Sequence, residues 1–337
     1  MPPALSAIRE IEGVGPQGLT DEILRSPRPL VLRGLVADWP MVRAAQASVP
    51  AADAYLRGFY RDASVVAMHG QPEMDGRIFY NEDLSGFNFS SVRIKFDALL
   101  DALRDHLHDE RPPTFYVGST TIESCLPGFR AENDLDFGAR APLASLWIGN
   151  RTRIPAHYDL PDNLACVAAG RRRFTLFPPE QLGNLYVGPL DFTPAGQSIS
   201  LVDFARPDFQ RYPRFATALE HAQVAELGPG DALFIPSMWW HHIEALERFN
   251  VLVNYWWRQS PDYMDTPMNT LLLALMTVRD LPRAQRLAWQ DIFRHYVFDS
   301  DGSEAQHIPP AARRALAPFD DDAARMLRAQ LLNKMKR

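Results

Sequence analysis

Two separated stretches of this chain carry residue types and spacings that suit a metal site. In Arg153-Ile-Pro-Ala-His157-Tyr-Asp159-Leu-Pro-Asp-Asn163 an imidazole and a carboxylate alternate along the chain. On an extended strand residues i and i+2 share a face, so His157 and Asp159 reach one point together. Downstream, Ser237-Met-Trp-Trp-His241-His242-Ile-Glu244 offers a further imidazole. If that segment is extended, only one of His241 and His242 reaches the same point, because neighbours face oppositely, and spacing does not choose between them. Two neutral imidazoles and one carboxylate occupy one face of an octahedral ion and leave the other face open, the arrangement of non-haem iron(II) oxygenases.

A His-X-Asp triplet alone is common by chance, and a lone histidine on an apolar face is more often a core residue. Here Pro155 stiffens the approach, and the histidine pair follows a glycine turn on a second β-prone segment. An open metal face has room for a bidentate oxoacid and dioxygen. A 2-oxoacid with a second carboxylate needs a cation, and Arg171-Arg172-Arg173 lies just past a corner at Gly170. Alternation separates Arg172 from its neighbours, and a guanidinium grips a carboxylate through two parallel hydrogen bonds. The competing reading is three solvated turn arginines. Tyr116, Asn163 and Asn254 are polar groups inside apolar runs and need partners if buried. Trp239, Trp240, Trp256 and Trp257 read as core and rim aromatics.

The 337 residues, 46% of them hydrophobic, suffice for a large core. A net charge of −6 gives no reason to expect nucleic-acid binding. With only Cys125 and Cys166, a disulfide framework is not expected, and a reducing compartment fits best. The amino-terminal residues lack the pattern of a signal peptide, and no apolar run is long enough to span a bilayer. The reading is a soluble, cytoplasmic protein.

The elements that must position these residues follow from periodicity. A short helix capped by Thr20 or Asp21 precedes a buried strand at Pro29–Leu32. Ser64–Met68 and Arg77–Tyr80 read as a hairpin around a polar loop. Phe96, Leu99, Leu100, Leu103 and Leu107 fall at helical spacing. From Phe115 short strands alternate with turns, at Phe115–Val117, Ser145–Ile148, Asn163–Ala168, Arg172–Phe177 and Asn250–Trp257, with Gly170 turning a hairpin between the third and fourth. This pattern predicts a β-barrel or double-sheet jelly roll. After Pro261 the pattern is helical. The expected organisation is an N-terminal α/β region over 1–110, a β core over 111–260 and a helical region over 261–337.

The combination Pro155-Ala-His157-Tyr-Asp159, Asn163, Phe177-Pro-Pro, Gly228-Pro-Gly-Asp231, Trp239-Trp-His241-His-Ile-Glu244 and Val253-Asn254 resembles the cupin-like JmjC oxygenases, in the branch of the asparaginyl hydroxylase that inhibits hypoxia-inducible factor. The resemblance is dense over residues 145–257 and thinner over 28–40 and 114–118. It implies a mainly β, double-stranded β-helix core flanked by helices, with Fe(II) and 2-oxoglutarate. It selects His241 as the third metal ligand beside His157 and Asp159, and these three as the catalytic group. Tyr116, Asn163, Arg172 and Asn254 become cosubstrate contacts. Arg172 replaces the family's lysine, and Ile154 replaces a threonine. The implied activity is hydroxylation of a C–H bond in a protein or peptide side chain, by a homodimer built through the C-terminal helices. The alternatives are a small-molecule hydroxylase, a lysine demethylase, or a non-oxidative or non-catalytic cupin module.

Overall fold

The structure is a computed structural model describing residues 5–336. One compact unit runs to Arg258 and a second begins at Gln259. Among the described residues of the first, fourteen strands form two sheets. They are β1 (Ser6–Ala7), β2 (Arg9–Ile11), β3 (Leu30–Leu32), β4 (Ser64–Gly70), β5 (Ser90–Lys95), β6 (Thr114–Thr121) and β7 (Leu143–Gly149). Then follow β8 (Arg153–His157), β9 (Asp162–Ala169), β10 (Arg172–Phe177), β11 (Gln223–Leu227), β12 (Ala232–Ile235), β13 (Trp240–Ala245) and β14 (Asn250–Trp257). The smaller sheet has the order β1-β11-β10-β13-β8, and the larger β2-β3-β12-β9-β14-β7-β6-β4-β5.

Alternation along the central strands explains the layering. Ala165 and Val167 of β9, Leu233 and Ile235 of β12, and Leu252 of β14 join Phe174 and Leu176 of the other sheet in one buried cluster. The opposite faces of those larger-sheet strands, Leu164, Cys166, Phe234, Val253 and Tyr255 among them, belong to a second buried cluster that includes Met41 and Val42 of the helix Pro40–Ala47 and Leu99, Leu100 and Leu103 of the helix Phe96–Asp105. Both faces of the larger sheet are therefore covered at its central strands, which is why β9 is buried along its whole length. Two sheets sharing an inner core, wound antiparallel apart from short N-terminal pairings, make the expected jelly roll.

Two local expectations are corrected. Gly170 does not turn a hairpin: β9 and β10 lie in different sheets, so the glycine takes the chain across the core from one layer to the other. Its φ is +72°, and a Cβ there would approach Asn250 Oδ1 to 2.3 Å and the Phe249 carbonyl oxygen to 2.6 Å. Gly170→Ala is expected to cost about 2 kcal/mol or more, read as a lower urea midpoint at unchanged m-value. Arg77–Tyr80 is not the hairpin partner of β4 either. β4 pairs with β5 and β6, while Arg77 bridges in parallel to Arg153. The strongly β-prone Ser90–Lys95 run takes the place that periodicity gave to the shorter segment.

The Gly228-Pro-Gly-Asp231 turn ties the N-terminal strands to the core. Asp231 accepts from the Gly228 N–H at 3.1 Å, from Arg33 Nη1 at 2.7 Å and from the Gly34 N–H at 3.0 Å. The second unit contains helices Pro267–Thr277, Arg283–Phe293 and Asp321–Met335. Leu271, Met276, Leu287, Ile292, Met326 and Leu331 are exposed on them. Among the described residues no helix is long and apolar enough to cross a membrane.

Candidate metal centre and oxoacid pocket

β8 and β13 are antiparallel neighbours, and their register sets His157 directly opposite His241. Between His241 and Ile243 the register slips, because β8 carries an extra residue where Pro155 stands. Proline has no N–H to give to a ladder, so a bulge is its natural place in a sheet. The result is an imidazole pair with ring centroids 4.3 Å apart. Asp159 lies just past the end of β8, and its loop is stapled to the turn before β13. The Met238 N–H donates to the Asp159 carbonyl at 2.9 Å, and Ser237 Oγ donates to the Leu160 carbonyl at 2.6 Å. Met238 adopts a left-handed φ of 69°, a strained conformation held beside the site.

His157, Asp159 and His241 bring ligand atoms within 4.8 Å of one another. His157 Nδ1 lies 2.9 Å from the Pro155 carbonyl and His241 Nδ1 lies 3.0 Å from the Trp239 carbonyl. A carbonyl only accepts, so both rings carry the proton on Nδ1 and present the Nε2 lone pair. Burial, with His157 close by, pushes the His241 pKa down to about 4 against the opposing pull of Asp159. The ring is neutral at physiological pH, as a metal ligand must be. His241 Nε2 stands 3.6 Å from Asp159 Oδ2, while the other carboxylate oxygen accepts from Gln197 Nε2 at 3.1 Å. Gln197 thus turns one oxygen toward the histidines. Gln197→Ala is expected to weaken divalent-metal affinity about tenfold without unfolding the chain, measured by metal titration beside a melting curve.

His242 points the other way, buried against Phe204 with centroids 4.5 Å apart. Burial and the positive charge of Arg153 push its pKa down to about 3 against the pull of Asp203. It belongs to the packing outside the smaller sheet.

The metal group opens on a cavity of about 230 Å³ within the jelly roll. Tyr116, Asn163, Arg172 and Asn254 all line it, so the four polar residues singled out in the sequence converge on one space. Arg172 points inward and is 2% exposed, whereas Arg171 pairs with Glu247 at 2.8 Å and Arg173 with Glu226. Among the described residues no carboxylate forms an ion pair with Arg172, and its Nε has no hydrogen-bond partner. Burial lowers its pKa and the Tyr116 hydroxyl opposes that shift. Burial raises the Tyr116 pKa to about 12, with Arg172 pulling it down. Tyr116 stays protonated.

Sequence reasoning missed Trp147 and Gln197. Trp147 Nε1, which can only donate, meets Asn254 Oδ1 at 2.6 Å, and Asn254 Nδ2 donates to Asn163 Oδ1 at 3.2 Å. This chain fixes both amides and leaves the Asn163 NH₂ as a donor. Ile154 adds only aliphatic surface to the cavity wall. The free polar groups around Arg172 are therefore chiefly donors, which suits a ligand with carboxylate oxygens.

Fold and site together define a cupin-type jelly roll with a two-histidine, one-carboxylate group. Residues 16–263 match the Cupin-like domain family, and the chain belongs to that family, of the JmjC type. It is similar to Lysine-specific demethylase JMJ31 of Arabidopsis thaliana, 33% identical over 128 residues that make up 36% of this chain and 23% of that protein. HSPB1-associated protein 1 of Homo sapiens is 31% identical over 157 residues, 45% of this chain and 31% of that protein. tRNA wybutosine-synthesizing protein 5 of Danio rerio is 36% identical over 125 residues, 37% of this chain and 33% of that protein. The matched stretch thus spans a third or less of each of these relatives.

Proposed function

We propose that this protein is an Fe(II)- and 2-oxoglutarate-dependent dioxygenase that hydroxylates a C–H bond of a protein or peptide side chain. One observation carries the reading. A single cavity holds both a two-histidine, one-carboxylate group and a buried guanidinium that has no carboxylate partner among the described residues. The donor set fits iron(II), since three protein ligands leave room for exogenous ones. The orphaned Arg172 Nε fits the distal carboxylate of a dicarboxylic 2-oxoacid.

His157, Asp159 and His241 would hold the metal, and Tyr116, Asn163, Arg172 and Asn254 would hold the oxoacid. Iron(II) with 2-oxoglutarate and dioxygen would supply, when bound, oxidative decarboxylation of the oxoacid to succinate and carbon dioxide, one oxygen atom of dioxygen entering succinate and the other a C–H bond of the substrate. The chain's part is to orient and to exclude water. The Nδ1–H bonds lock the ring rotamers, Gln197 fixes the carboxylate, and Trp147 fixes the amides. The aromatic and aliphatic walls strengthen each polar contact by keeping solvent out.

The test is anaerobic addition of Fe(II) and then 2-oxoglutarate, watching for a visible metal-to-ligand charge-transfer band. The expected result is a band in the native protein and none in His157→Ala. Iron binding without a band would favour a non-oxidative cupin, and absence of iron binding a scaffold role. The exposed apolar helices of the second unit support a homodimer, expected as twice the chain mass of 38.1 kDa by light scattering.

A further inference from the structure

Part of the wall of the metal cavity comes from a segment that the rest of the fold holds at few points. Val187 bridges to Ser200, and the Gly188 N–H donates to the Ile199 carbonyl at 2.9 Å, which closes the intervening residues into a loop. The base of that loop is firm. Ser198, Ile199 and Ser200 are buried, and Ser200 donates from its N–H to the Ala156 carbonyl at 2.8 Å and from its hydroxyl to the Leu185 carbonyl at 2.6 Å. Residues 189–197 differ. None of them is buried, yet Pro194, Ala195 and Gln197 line the cavity. Among the described residues, two hydrogen bonds tie 189–197 to the rest of the chain. Gln197 Nε2 donates to Asp159 Oδ1 at 3.1 Å, and the Tyr80 hydroxyl donates to the Phe192 carbonyl. A third, from the Gly196 N–H to Thr193 Oγ1 at 2.9 Å, stays within the segment.

The tether at Phe192 is set against a rigid platform. Its exposed ring stacks on Phe87 with centroids 4.8 Å apart and leans on Tyr80 at 5.8 Å. Tyr80 and Phe87 face each other across an antiparallel bridge. Asn88 staples that platform together, accepting from the Phe79 N–H at 3.0 Å and donating to the Arg77 carbonyl at 2.8 Å. The Ile78 N–H then joins it to β8 through the Arg153 carbonyl at 3.2 Å. A segment with no buried side chain and two outside hydrogen bonds opens at low cost, whereas its base and its platform stay in place. The other tether, Gln197, ends on a residue of the metal group, so opening also takes from Asp159 the partner that orients it.

We infer that residues 189–197 form a flap on the metal cavity, that Phe192 latches it shut, and that the latch positions Gln197 on Asp159. Phe192 is thus a positioning residue that acts through Gln197. Opening withdraws Pro194, Ala195 and Gln197 from the cavity wall and frees the Asp159 carboxylate in one movement, so access to the metal face and the hold on a ligand change together. The inference rests on the oxygenase reading only for the metal at His157, Asp159 and His241. Linkage makes the coupling reciprocal: if the closed flap strengthens metal binding, bound metal closes the flap by the same factor.

The test places a nitroxide on the flap of the full chain through Asp191→Cys, an exposed position whose label has no competitor, because Cys125 and Cys166 are buried. The ratio of mobile to immobile spectral components then reads the opening equilibrium. Loss of an aromatic pair amounts to roughly threefold to tenfold in an equilibrium constant. Without metal, Phe192→Ala is therefore expected to raise the mobile ratio by about that factor, while Phe192→Tyr, which keeps the ring, leaves it unchanged. Saturating Zn(II), which is diamagnetic, is expected to lower the ratio about tenfold in the native chain, and by less than about twofold in Gln197→Ala, which has lost the coupling group. An unchanged ratio in Phe192→Ala overturns the latch. A Zn(II) effect of equal size in Gln197→Ala, or none in a native chain that binds the ion, overturns the positioning through Gln197. Zn(II) binding is titrated separately. If the native chain binds none, the metal reading and the coupling fail together, and the metal-free comparison alone decides the flap.

Discussion

Replacing His157, Asp159 or His241 by alanine should abolish turnover and lower metal affinity by more than about 100-fold, while leaving the apo-protein folded. The three ligands share one open face, so loss of any one leaves two donors, too few to hold a divalent ion against water. Stability of the apo-protein should change little. His241 is buried and neutral, and Asp159 is a nearly buried carboxylate whose side chain receives a hydrogen bond from Gln197. Removing Asp159 even relieves a desolvated charge. The measurement that separates a lost ligand from a lost fold is metal-dependent melting. Metal at 100 times its Kd stabilises the native state by about 2.7 kcal/mol, which for a unit of this size is roughly 5–10 °C. The native protein should show that rise, and each alanine variant should melt at its apo temperature whether metal is present or not. A variant that keeps the full rise is not missing a ligand.

How much of this site was legible beforehand depends on the range of the contact. Alternation is local, and it separated Arg172 from Arg171 and Arg173; in the structure the first is inside and the other two pair with surface acids. The same rule said that His241 and His242 must diverge, but not which way. That choice depends on the inner face of β13, fixed by partners in β8 and β10 far away in sequence. The helix at Phe96–Asp105 and the strands from Phe115 onward were readable because each shows its own period. Gly170 was misread because a glycine corner looks the same whether the next strand returns to its sheet or crosses to the other one. Nothing near Gln197 marked it, since it lies in an irregular connection and reaches Asp159 only through the fold. Trp147 is an ordinary strand aromatic in sequence, and its indole N–H becomes informative only when Asn254 is found 2.6 Å away.

Arg172 carries the sharpest consequence, because its costs and its use fall on different states of the protein. A guanidinium 2% exposed with no carboxylate partner among the described residues is a liability without ligand. Replacing it by a well-packed apolar residue of similar length should be neutral or stabilising by up to roughly 2 kcal/mol. With a dicarboxylic oxoacid bound the sign reverses, since removing one partner of a buried, hydrogen-bonded charge pair costs about 2–5 kcal/mol, or at least roughly 30-fold in affinity. Arg172→Met should therefore melt at or above the native temperature alone, and below it when both are saturated with metal and 2-oxoglutarate. Arg172→Lys keeps the charge but loses the planar fork, and should fall between, about tenfold weaker than native. Pyruvate, which lacks the distal carboxylate, should bind native protein and Arg172→Met about equally. Calorimetric titration of the two oxoacids into the three proteins reads all of this. Unchanged 2-oxoglutarate affinity in Arg172→Met would move the distal carboxylate to another partner, and the buried guanidinium would then need a different anion to explain it.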